Sequence, residues 1–408
     1  MTDTLPTRAE PVTEPGRVFV AAAETAAARI APRAADADTK GRMSEESFAD
    51  LADLGVTSAF VPVELGGLGL SSIHDWALGI AEIARADASV AIAVNMHLGA
   101  TRGLVQSRQR ETADPSVENV LRSVAEGETL ICAAATEPGT DNLHPLTEAV
   151  ATGGDSHVIN GAKTFVTMSP ISTHLAMIIR VRDDGDQAAS ILLPIDTPGV
   201  EPQDDWNALG MRASGSQSIR FNDVVVPSST ISTIGPWGRW NPQWLMNRAL
   251  GNISLLGASL GIAEAAFEAA VAAAARHPRT GVPPRERPGV QHLAAELAIG
   301  LTTIRLVLAG TTRQVDDFIA AQEGSVPTLA EAHGIMQRYQ IAKSVVNATA
   351  IDVVNRAMDV TGGSSYADGS PLSRLYRDVR AAPFMQPGAP AEARHYIGRV
   401  TLGLLPED

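Results

Sequence analysis

Gly66, Gly67 and Gly69 stand close enough together to offer backbone N–H groups to a phosphate. A phosphate loop needs a Lys-Ser or Lys-Thr pair after the turn, and a dinucleotide fingerprint needs a further glycine opening a helix. Neither follows, so the run reads as a structural turn. Gly257-Ala258-Ser259-Leu260-Gly261 has the spacing of a hydrolase nucleophile elbow, but that elbow requires a strand before the serine and a sharp turn into a helix. This stretch sits inside one continuous helical pattern, so Gly257 and Gly261 are expected to let another helix approach closely. The nine histidines are scattered, with no i, i+4 pair beside a carboxylate, and no metal site is expected. Cys132 stands alone, which excludes an internal disulfide framework and a thiolate-rich metal site.

The elements that would carry such residues fall into three blocks. Residues 18–127 are helical in pattern. Ser44 with Glu45 and Glu46 offers an N-cap, Phe48, Leu51 and Leu54 recur on one face before Gly55, and further helices are expected over 73–86 and from Ser89 onward. The period then changes. Residues 130–135, 157–160, 163–167 and 175–182 are β-rich, with turn signals at Asn160-Gly161, Asp184-Gly185 and Pro198-Gly199, as in a small antiparallel barrel or sandwich closed by 218–226. Long helices return over 245–276, 289–321, 329–361 and 391–404. Segregated helical and β blocks argue for an α+β chain, mainly α, divided as 1–17 (a disordered N-terminal segment), 18–128, 129–240 and 241–408.

The 408 residues are 45% apolar and 19% charged, which fits a globular protein of two to three domains. A net charge of −14 disfavours a nucleic-acid surface. The longest apolar stretch, 249–275, is interrupted by Asn252, Glu264 and Glu268 and reads as a buried helix rather than a membrane span. Residues 1–17 lack the apolar core of a secretion signal, so a cytoplasmic location is expected.

Four blocks in order carry a resemblance. They are Pro62-Val63-Glu64-Leu65-Gly66-Gly67-Leu68-Gly69; Thr136-Glu137-Pro138-Gly139 with Gly161-Ala162-Lys163-Thr164-Phe165-Val166-Thr167; Leu209-Gly210-Met211-Arg212-Ala213-Ser214; and Thr361-Gly362-Gly363 with Leu375-Tyr376-Arg377-Asp378. Individually weak and jointly specific, they make residues 42–398 resemble the acyl-CoA dehydrogenase superfamily. The resemblance implies an N-terminal helical domain, a middle β-barrel and a C-terminal four-helix bundle. It also implies FAD, with FMN as the alternative, between barrel and bundle of a homodimer or homotetramer. Ala134, Thr136, Phe165 and Thr167 would then face the isoalloxazine, and Gly362 and Gly363 would admit the adenine-side pyrophosphate. Asn142 joins the cofactor-binding set, and Arg276 or Arg279 would supply a cation to the flavin of a neighbouring subunit.

Departures from the family's pattern narrow the chemistry. Dehydrogenation of an acyl thioester needs a general base, and the interval after Arg377-Asp378 that usually ends on a glutamate ends here on Gln386. The alternative base position, on the first bundle helix, falls near Gly251 and Asn252. Asp141-Asn142-Leu143 replaces the Gly-Ser-Asp that often helps hold acyl-CoA. No aromatic accompanies Arg276 and Arg279, and Asp359 stands where a glutamine is common. The chain thus resembles the superfamily's two-component monooxygenases, which take reduced flavin from a separate reductase. With O2 they hydroxylate nitrogen, sulfur or carbon of a small molecule through a C4a-hydroperoxyflavin. His97, Ser169 and Gln386 are the catalytic candidates; the competing readings are a satisfied core histidine, a turn serine and a loop residue. Arg377 and Asp378 read as structural, and Trp237, Trp240 and Trp244 either roof a pocket or pack a domain junction. An acyl-CoA or acyl-carrier-protein dehydrogenase with a displaced base, and a non-catalytic scaffold, are the alternative functions.

Overall fold

The computed structural model describes residues 8–108, 116–183, 185–277, 281–322 and 324–406. Order begins earlier than the sequence implied. Asp75, buried under the first helix, accepts from Val12 N (2.8 Å), Thr13 N (3.0 Å) and Thr13 Oγ1 (2.6 Å), and Thr13 in turn N-caps α1 (Glu14–Ile30). The described part of the segment 1–17 is therefore pinned rather than disordered, because a buried carboxylate needs those donors. There follow α2 (Ala34–Lys40), α3 (Glu45–Asp53, capped by Ser44), α4 (Ile73–Ala86, capped by Ser72), α5 (Ala88–Arg108) and α6 (Ser116–Ala125).

The middle domain is one eight-stranded sheet: β1 (Ile131–Ala134), β2 (Glu148–Ala151), β3 (Ser156–Val166), β4 (His174–Val181), β5 (Gln187–Pro194), β6 (Val200–Pro202), β7 (Gln217–Pro227) and β8 (Ile231–Pro236). Its path is β6-β7-β3-β2-β4-β5-β8, and β1 and β2 both run parallel to β4, so the sheet is mixed rather than purely antiparallel. Asn160-Gly161 is not a turn. It sits at a register shift inside β3, where a Cβ on Gly161 would fall 2.6 Å from Thr147 Oγ1; the glycine serves a bulge and a close approach. Residues 218–226 form the interior strand β7, and β8 supplies the edge beside β5.

The expected helix over 245–276 breaks into α7 (Pro242–Ile253) and α8 (Leu255–Ala274) at Ser254, whose hydroxyl leaves the helical pattern to donate to Asn95 Oδ1 at 2.7 Å. Then come α9 (Pro288–Ala321), α10 (Leu329–Thr361), α11 (Pro371–Val379) and α12 (Pro390–Thr401). Among the described residues, two helical stretches have the length and composition to cross a membrane. Pro242–Ala274 is 72% buried inside the protein, whereas α9 buries 28% of its most apolar window and turns Ile299 and Leu306 outward.

One apolar core runs through the first and last helical blocks, and a second fills the sheet. The first depends on α8 lying against α4 at backbone distance. A Cβ on Gly257 would stand 2.1 Å from Ala77 O, and one on Gly261 2.3 Å from Ala81 O, so both glycines answer to packing and not to catalysis. Gly257→Ala should cost about 1–3 kcal/mol through forced separation of the helices. Gly310→Ala, where a Cβ meets no atom within 4 Å, should be neutral or stabilising; paired thermal melts check the contrast.

Candidate functional site

The stretch from β1 into β3 is organised by an ion pair. Lys163, fully buried in β3, donates to Glu137 Oε1 and to Ile178 O (2.5 Å), while Glu137 also accepts from Leu146 N (2.7 Å) and Thr147 N (3.1 Å). Burial pushes the Lys163 amine below its ordinary range, and the Glu137 charge opposes that shift. Every polar atom of the pair is engaged, the condition under which a buried ion pair survives its dehydration. It fixes Thr136 beside Thr164, whose N–H donates to Thr136 O at 2.9 Å.

The next residue, Phe165, is 59% exposed and adopts φ 54°. A left-handed, outward-facing phenylalanine is costly on both counts, and here it forms a flat apolar wall with the Trp206 ring edge-on to it at 5.9 Å. Ala134 is buried in the sheet core, and Thr167 Oγ1 lies 2.9 Å from Ser216 Oγ. Trp206 Nε1 donates to Met211 O (3.0 Å), and Met211 N donates to Asp378 on α11 (2.7 Å). Burial pushes the Asp378 carboxyl up to about 7. Arg377 pairs with Asp38 on α2 (Nη2–Oδ2 2.5 Å), so the Arg-Asp pair acts as a structural strap between α11, α2 and the 209–211 loop.

A second polar group stands between the sheet and the bundle. Asn142 donates to Ala135 O at 2.7 Å, and its side-chain oxygen accepts from Arg248 on α7. Burial holds the Arg248 guanidinium down at about 10, against the raising effects of Tyr339 and Asp141. Gln386 Oε1, 3.4 Å from the same end of the Asn142 side chain, accepts from Gly388 N at 3.0 Å. Lys343 on α10 holds that loop by donating to Met385 O, Gly388 O (2.7 Å) and Pro387 O (3.2 Å), and burial lowers its amine to about 8. Asp141, the acid whose charge reaches Arg248, uses Oδ1 to accept from Leu143 N and His144 N and to meet His144 Nδ1. The gathered groups are therefore amides and cations, suited to hydrogen bonding and unsuited to removing a carbon-bound proton.

The remaining candidates fall elsewhere. His97 is fully buried: Nδ1 accepts from Ile131 N (3.0 Å), and Nε2 therefore donates to Thr57 O (2.9 Å). Both ring nitrogens are spent on backbone joining α5 to β1, which corrects its assignment as a catalytic group to that of a positioning residue. Ser169 is buried, with its hydroxyl donating to Gly215 O at 3.3 Å. Arg276 is exposed near the end of α8, and Arg279 lies outside the described residues. Gly362 and Gly363 are open, since a Cβ on either would meet no atom within 4 Å. Trp237 Nε1 donates to Pro145 O (2.9 Å), and Trp240 and Trp244 stack at 5.0 Å between the sheet and α7, packing the junction. Arg248 and Lys343 were missed, although a cation in an apolar helix with no acid one turn away is a legible signal.

Two tests follow from this geometry. Lys163→Met should destabilise by about 3–5 kcal/mol, because Glu137 is left buried and uncompensated, and should weaken flavin binding in a fluorescence titration. Adding Glu137→Gln should recover part of both losses. Burial lowers His97 from 6.5 to about 4, so the unfolded chain takes the proton first and this stabilisation, present above 6.5, is lost as pH falls towards 4. At pH 5 the loss is about 2 kcal/mol. Denaturant curves should show a steeper fall between about pH 7.5 and 5 than in His97→Gln, which cannot titrate; equal slopes would refute the assignment.

An exposed, strained aromatic wall suits a flat flavin ring. Models of the N-terminal, middle and C-terminal domains of acyl-CoA dehydrogenases match residues 17–152, 132–224 and 246–401. The chain is 36% identical to L-evernosamine nitrososynthase of Micromonospora sp., covering 97% of this chain and 92% of that protein. It is 33% identical to the amino sugar nitrososynthase DnmZ of Streptomyces peucetius, covering 97% and 95%. It is also similar to a solved structure of KijD3 in complex with FMN and dTDP-3-amino-2,3,6-trideoxy-4-keto-3-methyl-D-glucose, with a TM-score of 0.90 and 32% identity over 98% of this chain and 96% of that one. The wall, the amide-lined cleft and these matches agree: the chain belongs to the acyl-CoA dehydrogenase superfamily and is a flavin-dependent oxidoreductase.

Proposed function

We propose that this enzyme is the oxygenase of a two-component system and N-oxidises the primary amine of an amino sugar carried on a nucleoside diphosphate, with reduced flavin delivered by a separate reductase. The reading rests on Gln386, near Asn142, standing at the interval after Arg377-Asp378 where the family's dehydrogenases usually carry a glutamate. An amide accepts and donates hydrogen bonds without taking the amine's proton, so a bound amine is oriented with its lone pair free. Reduced flavin supplies two electrons, so that one atom of O2 goes to the amine nitrogen and the other leaves as water. The similarity to amino sugar nitrososynthases and to KijD3, solved with an amino sugar nucleotide, supports the substrate class.

The ring contacts proposed are Ala134, Thr136, Phe165 and Thr167, with Ser169 and Gln386 hydrogen-bonding near the reacting edge and Asn142 between ring and substrate. FMN is supported by the KijD3 complex; FAD would extend its adenine half past Gly362 and Gly363 towards Arg276 or Arg279 of a second copy. The outward apolar face of α9 favours such a homo-oligomer.

The test supplies flavin, NADH, a flavin reductase, O2 and a thymidine-diphosphate-linked amino sugar, and follows the product by mass spectrometry with isotopically labelled oxygen. The expected product is a hydroxylamine or nitroso sugar bearing one labelled oxygen. Unchanged amine, together with anaerobic bleaching of the flavin by an acyl-CoA panel, would overturn the proposal in favour of a dehydrogenase.

A further inference from the structure

The Met211 peptide is a crossing point for the segments around the aromatic wall. Its N–H donates to Asp378 Oδ1 on α11 at 2.7 Å, and its carbonyl accepts from Trp206 Nε1 and from Ser214 N, both at 3.0 Å. Trp206 then meets Phe165 edge-on at 5.9 Å, with the two ring planes 79° apart. Ser214 O in turn accepts from Met168 N (3.0 Å), three residues past Phe165, and the Ser214 hydroxyl meets Ser216 Oγ (2.7 Å), which meets Thr167. Phe165 is thus flanked on both sides by groups that answer to one peptide.

Local preference does not hold that peptide in place. Met211 is buried and left-handed at φ 52°, a conformation that a residue with a Cβ keeps only when its surroundings impose it. Two features do so. Gly210 lies on the backbone of α11, where a Cβ would stand 2.2 Å from Arg377 O, and Asp378 takes the Met211 N–H. The Asp378 carboxyl is 1% exposed. The charges around it are Asp38 on α2, Asp87 between α4 and α5, and Arg374 and Arg377 on α11 itself. Both cations are already engaged, Arg374 with Ala86 O (3.0 Å) and Arg377 with Asp38. A neutral acceptor would satisfy one backbone N–H without dehydrating a charge. The carboxylate adds a stronger, charge-assisted bond at the one peptide on which the wall depends.

We infer that Asp378 is a positioning residue for the flavin ring: through the Met211 peptide it sets where Trp206 stands against Phe165. That role rests on Phe165 as the ring contact proposed above. Burial, opposed by the Met211 N–H and by Arg374, pushes the Asp378 carboxyl up to about 7, with Asp87 and Asp38 adding to the rise. Above that pH the bond from Met211 is charge-assisted; below it the same oxygen belongs to a neutral carboxyl and accepts about half as strongly. Flavin affinity therefore falls as pH drops through that range.

FMN titrations of the full chain, followed by flavin fluorescence and by visible circular dichroism of the bound ring, test this role. Trp206→Phe keeps an aromatic edge but loses the N–H, and Asp378→Leu removes the acceptor; each should weaken FMN about three- to tenfold and change the dichroic band. Phe165→Ala should weaken it at least as much. In the Phe165→Ala background, Asp378→Leu should cost no further affinity, whereas a residue that merely stabilised the fold would cost the same again. Asp378→Asn keeps the acceptor and loses the charge. It should match wild type at about pH 6 and fall behind it about threefold at about pH 8, the FMN phosphate contributing equally to both. Additive losses in folded double variants, parallel pH profiles, or a folded Trp206→Phe enzyme with wild-type affinity and dichroism would overturn the role. Should Asp378→Leu fail to fold, Trp206→Phe and Asp378→Asn decide. A Phe165→Ala enzyme that binds FMN like wild type would remove the ring contact, and the role of Asp378 with it. Because binding needs no turnover, these outcomes stand apart from whether the amine is oxidised.

Discussion

The buried pair of Lys163 and Glu137 is the constraint from which the working face of the sheet follows. An amine and a carboxylate without water are tolerable only when each remaining hydrogen-bonding position is filled, and here Ile178 O, Leu146 N and Thr147 N fill them. The pair therefore has essentially one acceptable geometry. It locks the turn after β1 to β3, and two residues beyond Lys163 the strand carries Phe165 in a left-handed conformation at a register shift. The rigidity a flat ligand requires is set in the interior of the sheet, one residue layer behind the surface that uses it.

The second organising feature is the number of segments tied together by buried polar contacts. Arg248 of α7 reaches Asn142 in the loop after β1, and α10 reaches the Gln386 loop through Lys343. Asp378 and Arg377 hold α11 to the 209–211 loop and to α2. These straps are buried hydrogen bonds and ion pairs rather than exposed ones, so they fix orientation where surface pairs would contribute little.

The block order helix, sheet, helix was legible because period and composition change sharply near Thr129 and Trp244. α4 was legible to the residue because Ser72 caps a strongly periodic run. The sheet was less so. β2 and β8 are short, and the Asn160-Gly161 pair imitates a hairpin turn although its glycine is there for Thr147. The break at Ser254 was hidden because its cause, Asn95, lies far away in the chain. At the proposed site, Gln386, Asn142 and the β3 residues were singled out by their motifs. His97 was misjudged because a sequence shows that a histidine is present and not that backbone occupies both its nitrogens. Arg248 carried a signal in its lack of acids one turn away, but that it meets Asn142 is set by the docking of α7 on the sheet, which no local pattern encodes.

The contact of α8 with α4 through Gly257 and Gly261 bears on how the chain is made. Its sheet core draws on residues from Cys132 to Val226 and can close as soon as they have left the ribosome. The helical core cannot: its first partners are synthesised long before α8, α9 and α10 exist to cover them. During synthesis the apolar faces of α4 and α5 must wait in the open while a finished sheet hangs behind them. The last helices to emerge therefore complete the first domain as well as their own.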